Sequence, residues 1–170
     1  TGDKGYIGTI LVPMLIAAGH EVVGFDSDLY QRCTFGDDLP VTRFIHKDLR
    51  DVEATDLEGF DAVMHLAALS NDPLGNLNPD LTYDINHHAS VKLAQLAKEV
   101  GVPRYIFSSS CSTYGAAAGD TMLTEEAKFN PVTPYGESKV FVERDVAKLA
   151  DDNFSPVFLR NATAYGVSAR

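Results

Sequence analysis

Gly2-Asp3-Lys4-Gly5-Tyr6-Ile7-Gly8, followed directly by an apolar run to Ala18, is the stretch on which the fold is decided. Three glycines stand three apart, just ahead of a helical pattern. Glycine lets a chain turn tightly and lets backbone approach a pyrophosphate closely. The start of the helix then offers unpaired N–H groups and a positive dipole end. Apolar residues at Ile7, Ile10, Leu11, Met14, Leu15 and Ala18 make a helical stripe over 6–18, and Gly19 ends it. Pro13 interrupts that stripe; in a regular helix it costs about 3 kcal/mol, so a kink is expected. A glycine trio alone marks only a turn. It gains meaning from Asp26, which closes the β-prone run 21–25. An acid about 20 residues after such a turn can accept hydrogen bonds from the adenosine ribose hydroxyls. Its charge also repels a 2′-phosphate, which favours NAD over NADP. Asp28, close by, can share or take that role.

Outward from this turn, strands and helices alternate. Further β-prone runs lie at 42–45 and 60–65. A long helix is expected over 81–100, with Leu93, Leu96, Ala97 and Val100 on one face, stopped by Gly101 and Pro103. A strand follows at 104–108. Thr133 then reads as an N-cap with Pro134 at the first helical position of a helix reaching about Ala150. The last strand is 157–160. This order predicts an α/β fold, a Rossmann-type doubly wound parallel sheet covered on both faces. The turn at Gly2 calls for a strand before it. Residues 1–170 are therefore expected to be a partial NAD-binding Rossmann domain whose first strand is missing. Strands 21–25 and 60–65 are expected on either side of that first-strand position, and the substrate-binding half mostly beyond Arg170.

Composition narrows the function classes. The 170 residues are 45% hydrophobic and carry a formal net charge of −10. Such a surface repels phosphate backbones, which argues against a nucleic-acid partner. No apolar run reaches the roughly 18 residues a membrane span requires. Cys33 and Cys111 have no metal-ligand spacing, and a reduced, cytoplasmic setting fits them. His87 and His88 are adjacent and so diverge on a helix; no metal site is expected.

A second constellation is Tyr135-Gly136-Glu137-Ser138-Lys139. Tyrosine and lysine four apart share a helix face. A free phenol, with pKa about 10, is a poor base at neutral pH. A neighbouring ammonium favours the phenolate, and bringing the phenol near 7 takes about 4 kcal/mol. The run Ser108-Ser109-Ser110-Cys111-Ser112-Thr113-Tyr114-Gly115 directly follows a strand. Ligands of open α/β sheets sit at the carboxyl ends of strands, so this cluster is placed for a substrate hydroxyl. On chemistry alone, each constellation also fits a bland surface helix or polar loop.

Taken in order, Gly2-x-x-Gly5-x-x-Gly8, Asp48-Leu49, His65-Leu66-Ala67-Ala68, Ser108-Ser109-Ser110, Tyr135-x-x-x-Lys139 and Leu159-Arg160 resemble extended short-chain dehydrogenases/reductases, in particular the NAD-dependent epimerase/dehydratase group. The resemblance spans essentially the whole chain. It implies that Gly2, Gly5, Tyr6, Ile7 and Gly8 hold the pyrophosphate and that Asp26 takes the adenosine ribose. Asp48 and Leu49 would border the adenine. Leu66, Ala67, Ala68 and Ser108 would line the cofactor cleft, with Asn86 packed beneath it. Tyr135 would be the catalytic base, Lys139 would bond the nicotinamide ribose, and Ser110 would meet the substrate hydroxyl. One departure is Thr163, which stands where the family often has Asn.

The implied reaction is reversible oxidation of a sugar hydroxyl with NAD recycled, on a small-molecule substrate that is a nucleotide-linked sugar. A homodimer is left open. Epimerisation is favoured over 4,6-dehydration, because Cys111 and Ser112 follow Ser110 where dehydratases carry an Asp-Glu pair, and because Glu125 and Glu126 fall in an expected surface loop. A sugar dehydrogenase/reductase that releases reduced cofactor, and a dinucleotide-binding regulator without turnover, are the alternatives.

Overall fold

The helical pattern after the glycine turn becomes α1, Gly8–Ala17, in a computed structural model that describes residues 1–35, 43–116 and 122–170. The helix runs on through Pro13. The face it buries differs from the expected stripe. Gly8, Thr9 and Val12 are buried, while Ile10 and Met14 are 46% and 63% exposed. The helix is apolar on nearly every side, so helical spacing does not select one face.

Among the described residues five strands follow the anticipated order. β1 (Val23–Asp26) pairs in parallel with β2 (Arg43–His46). Of the expected strand 42–45, Thr42 lies outside the described residues. β3 (Ala62–His65), β4 (Arg104–Ser110) and β5 (Ser155–Asn161) form a second parallel ladder. β1 and β3 do not pair with each other. Thr1 and Gly2 lie between them: Gly2 N donates to Phe25 O at 3.0 Å, and Leu66 N donates to Thr1 O at 3.1 Å. The lateral order is therefore β2, β1, Thr1 and Gly2, β3, β4, β5. The connections reverse direction at Thr1 and Gly2, and that reversal opens a crevice at the carboxyl ends of the strands.

The expected helix 81–100 is divided. α2 (Asp72–Leu77), which the sequence pattern did not suggest, and α3 (Pro79–Tyr83) come first. A π turn, Asp84–His88, then leads into α4 (Ala89–Glu99). α5 is Pro134–Ala147, and the Thr133 hydroxyl caps it by accepting from Gly136 N at 3.1 Å. The core lies between α4, α5 and the sheet, built on Leu93, Ala94, Ala97, Tyr105, Phe107, Val142, Val146 and Phe154. Coverage on both faces is not complete at β5, whose Val157 and Leu159 are 45% and 44% exposed. Among the described residues no helix is long and apolar enough to cross a membrane.

Candidate active site

The glycine turn is closed by contacts that leave no room for side chains. Gly2 has φ +72°, and a Cβ there would fall 2.5 Å from Ala67 N. A Cβ on Gly8 would fall 2.2 Å from Gly2 O. Among the described residues the amides of Tyr6, Ile7 and Gly8 have no backbone acceptor, as expected for the first turn of a helix. Asp26, at the end of β1, ties this turn to the next loop. Its carboxylate accepts from Lys4 N at 3.1 Å and from Asp28 N at 2.8 Å. Asp28 has φ 48°, a left-handed conformation that Asp tolerates. Asp3, inside the fingerprint, is buried, and its two carboxylate oxygens have no partner among the described residues. Burial pushes its pKa up.

The Asp48 carboxylate is engaged by Arg50, whose Nε and Nη2 donate at 3.0 and 2.9 Å. Leu66, Ala67 and Ala68 continue from β3. Asn86 holds the segment after them: it accepts from Leu69 N at 2.8 Å and donates to Leu69 O at 3.1 Å. It sits in the π turn and is fully buried, so its amide acts on backbone rather than on a ligand. His65, also fully buried, meets the Ser90 hydroxyl at 2.7 Å, and burial holds its pKa well below the ordinary value.

At the other end of the cleft, α5 presents Tyr135 and Lys139 on one face. Lys139 Nζ donates to Ser108 O at 2.7 Å and lies 4.6 Å from the Phe107 ring centroid and 5.5 Å from that of Tyr135. Burial pushes the ammonium down to about 7, with the Glu143 carboxylate acting against it. Burial raises the Tyr135 phenol, and hydrogen bonding with Ser110 pulls it back. Glu143, one turn past Lys139, is buried and accepts from Ser109 Oγ at 2.5 Å and from Arg160 Nη2 at 2.8 Å. Arg160 Nη1 continues to the Tyr114 hydroxyl at 3.0 Å. This chain fixes α5 against β4 and β5, and hence Lys139 against Ser108. The Glu143 spacing of four from Lys139 is the one sequence signal that could have revealed it.

One cleft of about 720 Å³ joins the two ends, a volume suited to a cofactor. Gly2, Gly5, Tyr6, Ile7, Gly8 and Asp26 line one part of it. Asp48, Leu49, Leu66, Ala67, Ala68, Ser108, Ser110, Tyr135 and Lys139 line the rest. The lining residues that sequence reasoning missed include Asn71, Asp72, Asn161 and Arg170. Asp72 accepts a short hydrogen bond from the Thr133 hydroxyl and adds negative charge near Tyr135. Asn161 Nδ2 donates to Ser108 Oγ at 3.0 Å, so an amide faces the cleft two residues before Thr163. Cys111 is an exposed free thiol on the cleft wall. Glu125 and Glu126 lie exposed in a loop. No group of three or more His, Cys, Asp or Glu side chains among the described residues can hold a metal.

The family model described as NAD dependent epimerase/dehydratase family matches residues 1–170. The chain is similar to the UDP-glucose 4-epimerase of Lactobacillus helveticus, at 35% identity over 155 residues covering 86% of this chain and 44% of that protein. Among solved structures it is similar to TunA, an NAD dependent-NDP-hexosamine 5,6-dehydratase involved in tunicamycin biosynthesis. That match has a TM-score of 0.87 at 30% identity, over 99% of this chain and 56% of the other. MoeE5 in complex with UDP-glucose and NAD matches with a TM-score of 0.84 at 30% identity, over 99% of this chain and 55% of the other. The chain thus spans about half the length of these relatives.

Proposed function

From the premise that this chain belongs to the NAD-dependent epimerase/dehydratase family, we propose that it is the cofactor-binding and catalytic half of an NAD-dependent nucleotide-sugar 4-epimerase. The observation that carries this reading is the single cleft with the glycine turn and Asp26 at one end and Ser110, Tyr135 and Lys139 at the other. The turn suits a dinucleotide, because only glycine at positions 2 and 8 lets the backbone close this tightly against Ala67 and Gly2, the kind of turn that brings backbone close to a pyrophosphate. Gly2, Gly5, Tyr6, Ile7 and Gly8 receive the pyrophosphate. Asp26 receives the adenosine ribose, and Leu49, Leu66, Ala67 and Ala68 form the apolar walls.

NAD, when bound, supplies a hydride acceptor at the carbon being oxidised and a donor for the return step. The chain's own groups handle the proton. Ser110 orients the sugar hydroxyl. The Tyr135 phenolate oxygen removes its proton as the carbon is oxidised and returns it when the sugar is reduced on its other face. Lys139, held by Ser108 O, supplies positive charge beside that phenol and hydroxyl contacts to the nicotinamide ribose.

The test is incubation of the full-length protein and NAD with UDP-hexoses, with products read by NMR and mass. The expected product is the 4-epimer without net NADH. Tyr135→Phe is expected to remove most turnover while NAD remains bound. A product lighter by one water would replace the epimerase reading by a dehydratase. Two observations favour that second reading: the likeness to a 5,6-dehydratase and the Asp72 carboxylate in the cleft near Tyr135. Against it, the two positions after Ser110 are Cys111 and Ser112, and neither is a carboxylic acid able to protonate a leaving hydroxyl. Accumulating NADH would indicate a sugar dehydrogenase instead.

A further inference from the structure

Residues 166–170 are tied by hydrogen bonds to the glycine turn and to the loop after β1. The Tyr6 hydroxyl donates to Gly166 O at 2.6 Å. Ser168 Oγ donates to Tyr6 O at 2.8 Å and meets Thr9 Oγ1 at 2.9 Å. Phe35 N donates to Ala169 O at 2.7 Å. Arg170 completes the series: Nη2 pairs with Asp28 Oδ1 at 2.8 Å, and Nη1 makes a short bond to Tyr30 O. We infer that Arg170 is a positioning residue for cofactor retention, closing the adenosine end of the cleft by holding Asp28 in place beside the bound dinucleotide.

Two features of the pair point beyond loop packing. The Arg170 and Asp28 side chains are only 5% and 10% exposed, on a chain whose other ion pairs are mostly solvated. A pair this buried gives up hydration that its mutual attraction only partly returns, so it is weak as a stabilising device. Its neighbours also carry it straight to the cofactor. Asp28 N donates to Asp26 Oδ1, and the other oxygen of Asp26 accepts from Lys4 N in the glycine turn. Arg170 is thus two links from the carboxylate assigned to the ribose and three from the turn assigned to the pyrophosphate. Tyr6, Asp26, Asp28, Tyr30 and Arg170 all line the same cleft. A dinucleotide seated between Gly5 and Asp26 would lie against the part of the wall that the Arg170–Asp28 pair holds in place. Retention would serve an enzyme that takes back its own hydride, and this part of the argument rests on the epimerase reading. The clamp itself rests only on dinucleotide binding.

The experiment loads the full-length protein with NAD and follows its release without sugar, by exchange against excess labelled NAD. Arg170→Ala and Asp28→Asn are expected to speed release by about tenfold or more, since loosening the wall beside Asp26 weakens retention and such affinity losses fall mostly in the off-rate. Arg170→Lys, which keeps a charge, is expected to restore much of the retention. The cofactor-free protein is expected to melt lower in Arg170→Ala and Asp28→Asn, which leave a buried charge unpaired, and close to the parent in Arg170→Lys. Asn keeps the left-handed backbone that Asp28 adopts, so Asp28→Asn decides the matter if Arg170→Ala fails to fold. Release within about twofold of the parent for both would overturn the inference. So would release from Arg170→Lys as fast as from Arg170→Ala while its cofactor-free melting temperature matches the parent. Epimer formation by the parent protein is scored separately, so either conclusion can fail without the other.

Discussion

Replacing Lys139 by Met is expected to stabilise the cofactor-free protein while abolishing turnover. The Lys139 side chain is 3% exposed, and burial lowers its pKa from 10.5 to about 7. At about 1.4 kcal/mol per pKa unit, carrying the charge in the folded state costs roughly 5 kcal/mol below pH 7. The substitution does not recover all of it. The bond from Nζ to Ser108 O is lost, which is worth roughly 1–2 kcal/mol. The contact with the Phe107 ring contributes about 1 kcal/mol more. Met keeps the stem packing, and Glu143 keeps Ser109 and Arg160. The net expectation is a gain of about 1–3 kcal/mol at pH 6. In the unfolded chain the lysine holds its proton up to its ordinary pKa, whereas the folded protein sheds it near 7. Between those values the unfolded state binds more protons, so the parent gains stability as pH rises. The advantage of the Met variant is therefore largest below 7, shrinks through the alkaline window and reverses once the lysine is neutral in both states. Urea denaturation of the two proteins at pH 6, 7.5 and 9 measures this. A Met variant less stable than the parent at pH 6, or a difference that does not vary with pH, would refute the burial argument.

Asp26→Asn removes the charge that would face a 2′-phosphate while keeping one acceptor for Lys4 N or Asp28 N. The NADP-to-NAD dissociation-constant ratio is expected to fall about tenfold, and an unchanged ratio in a binding titration would take the ribose role from Asp26. Gly8→Ala places a Cβ 2.2 Å from Gly2 O. Backbone cannot give way there as a flexible side chain could, so a loss of about 3 kcal/mol or more is expected in thermal melts. A stability matching the parent would mean that the turn is looser than described.

The parts that the sequence showed in advance are those encoded locally. The glycine spacing, the Tyr135–Lys139 face, the serine run at the end of β4 and the strand–helix alternation each lie within a few residues, and periodicity or turn chemistry exposes them. The residues it hid reach the cleft across the fold. Arg170 meets Asp28 over 142 positions, and Arg160 reaches Glu143 only because β5 lies beside β4 under α5. Asp72 enters on α2, a short helix with no periodicity to announce it. The buried face of α1 is not legible in the sequence, because an evenly apolar helix carries no directional signal. The π turn at 84–88 was missed because its cause is tertiary: it carries Asn86 to the backbone of Leu69, a placement that an uninterrupted helical register was not arranged to give.

Tyr135 and Lys139 are moved in opposite senses by one cause. Burial favours the neutral phenol and the neutral amine alike, so the charged pair has to be held together by attraction. Lys139 Nζ stands 5.5 Å from the centroid of the tyrosine ring, close enough for its charge, where it is carried, to favour the phenolate. Hydrogen bonding with Ser110 pulls the phenol in the same direction. Reversible proton transfer to a sugar hydroxyl asks for both forms of the tyrosine: a phenol that never loses its proton cannot act as the base, and a phenolate that is too weakly basic cannot take the sugar's proton. Any group that adds positive charge near the phenol tips the pair toward the base, and any group that adds negative charge tips it back. Asp72 acts in the second sense, so the carboxylate that the sequence did not reveal counts directly in how strong a base Tyr135 can be.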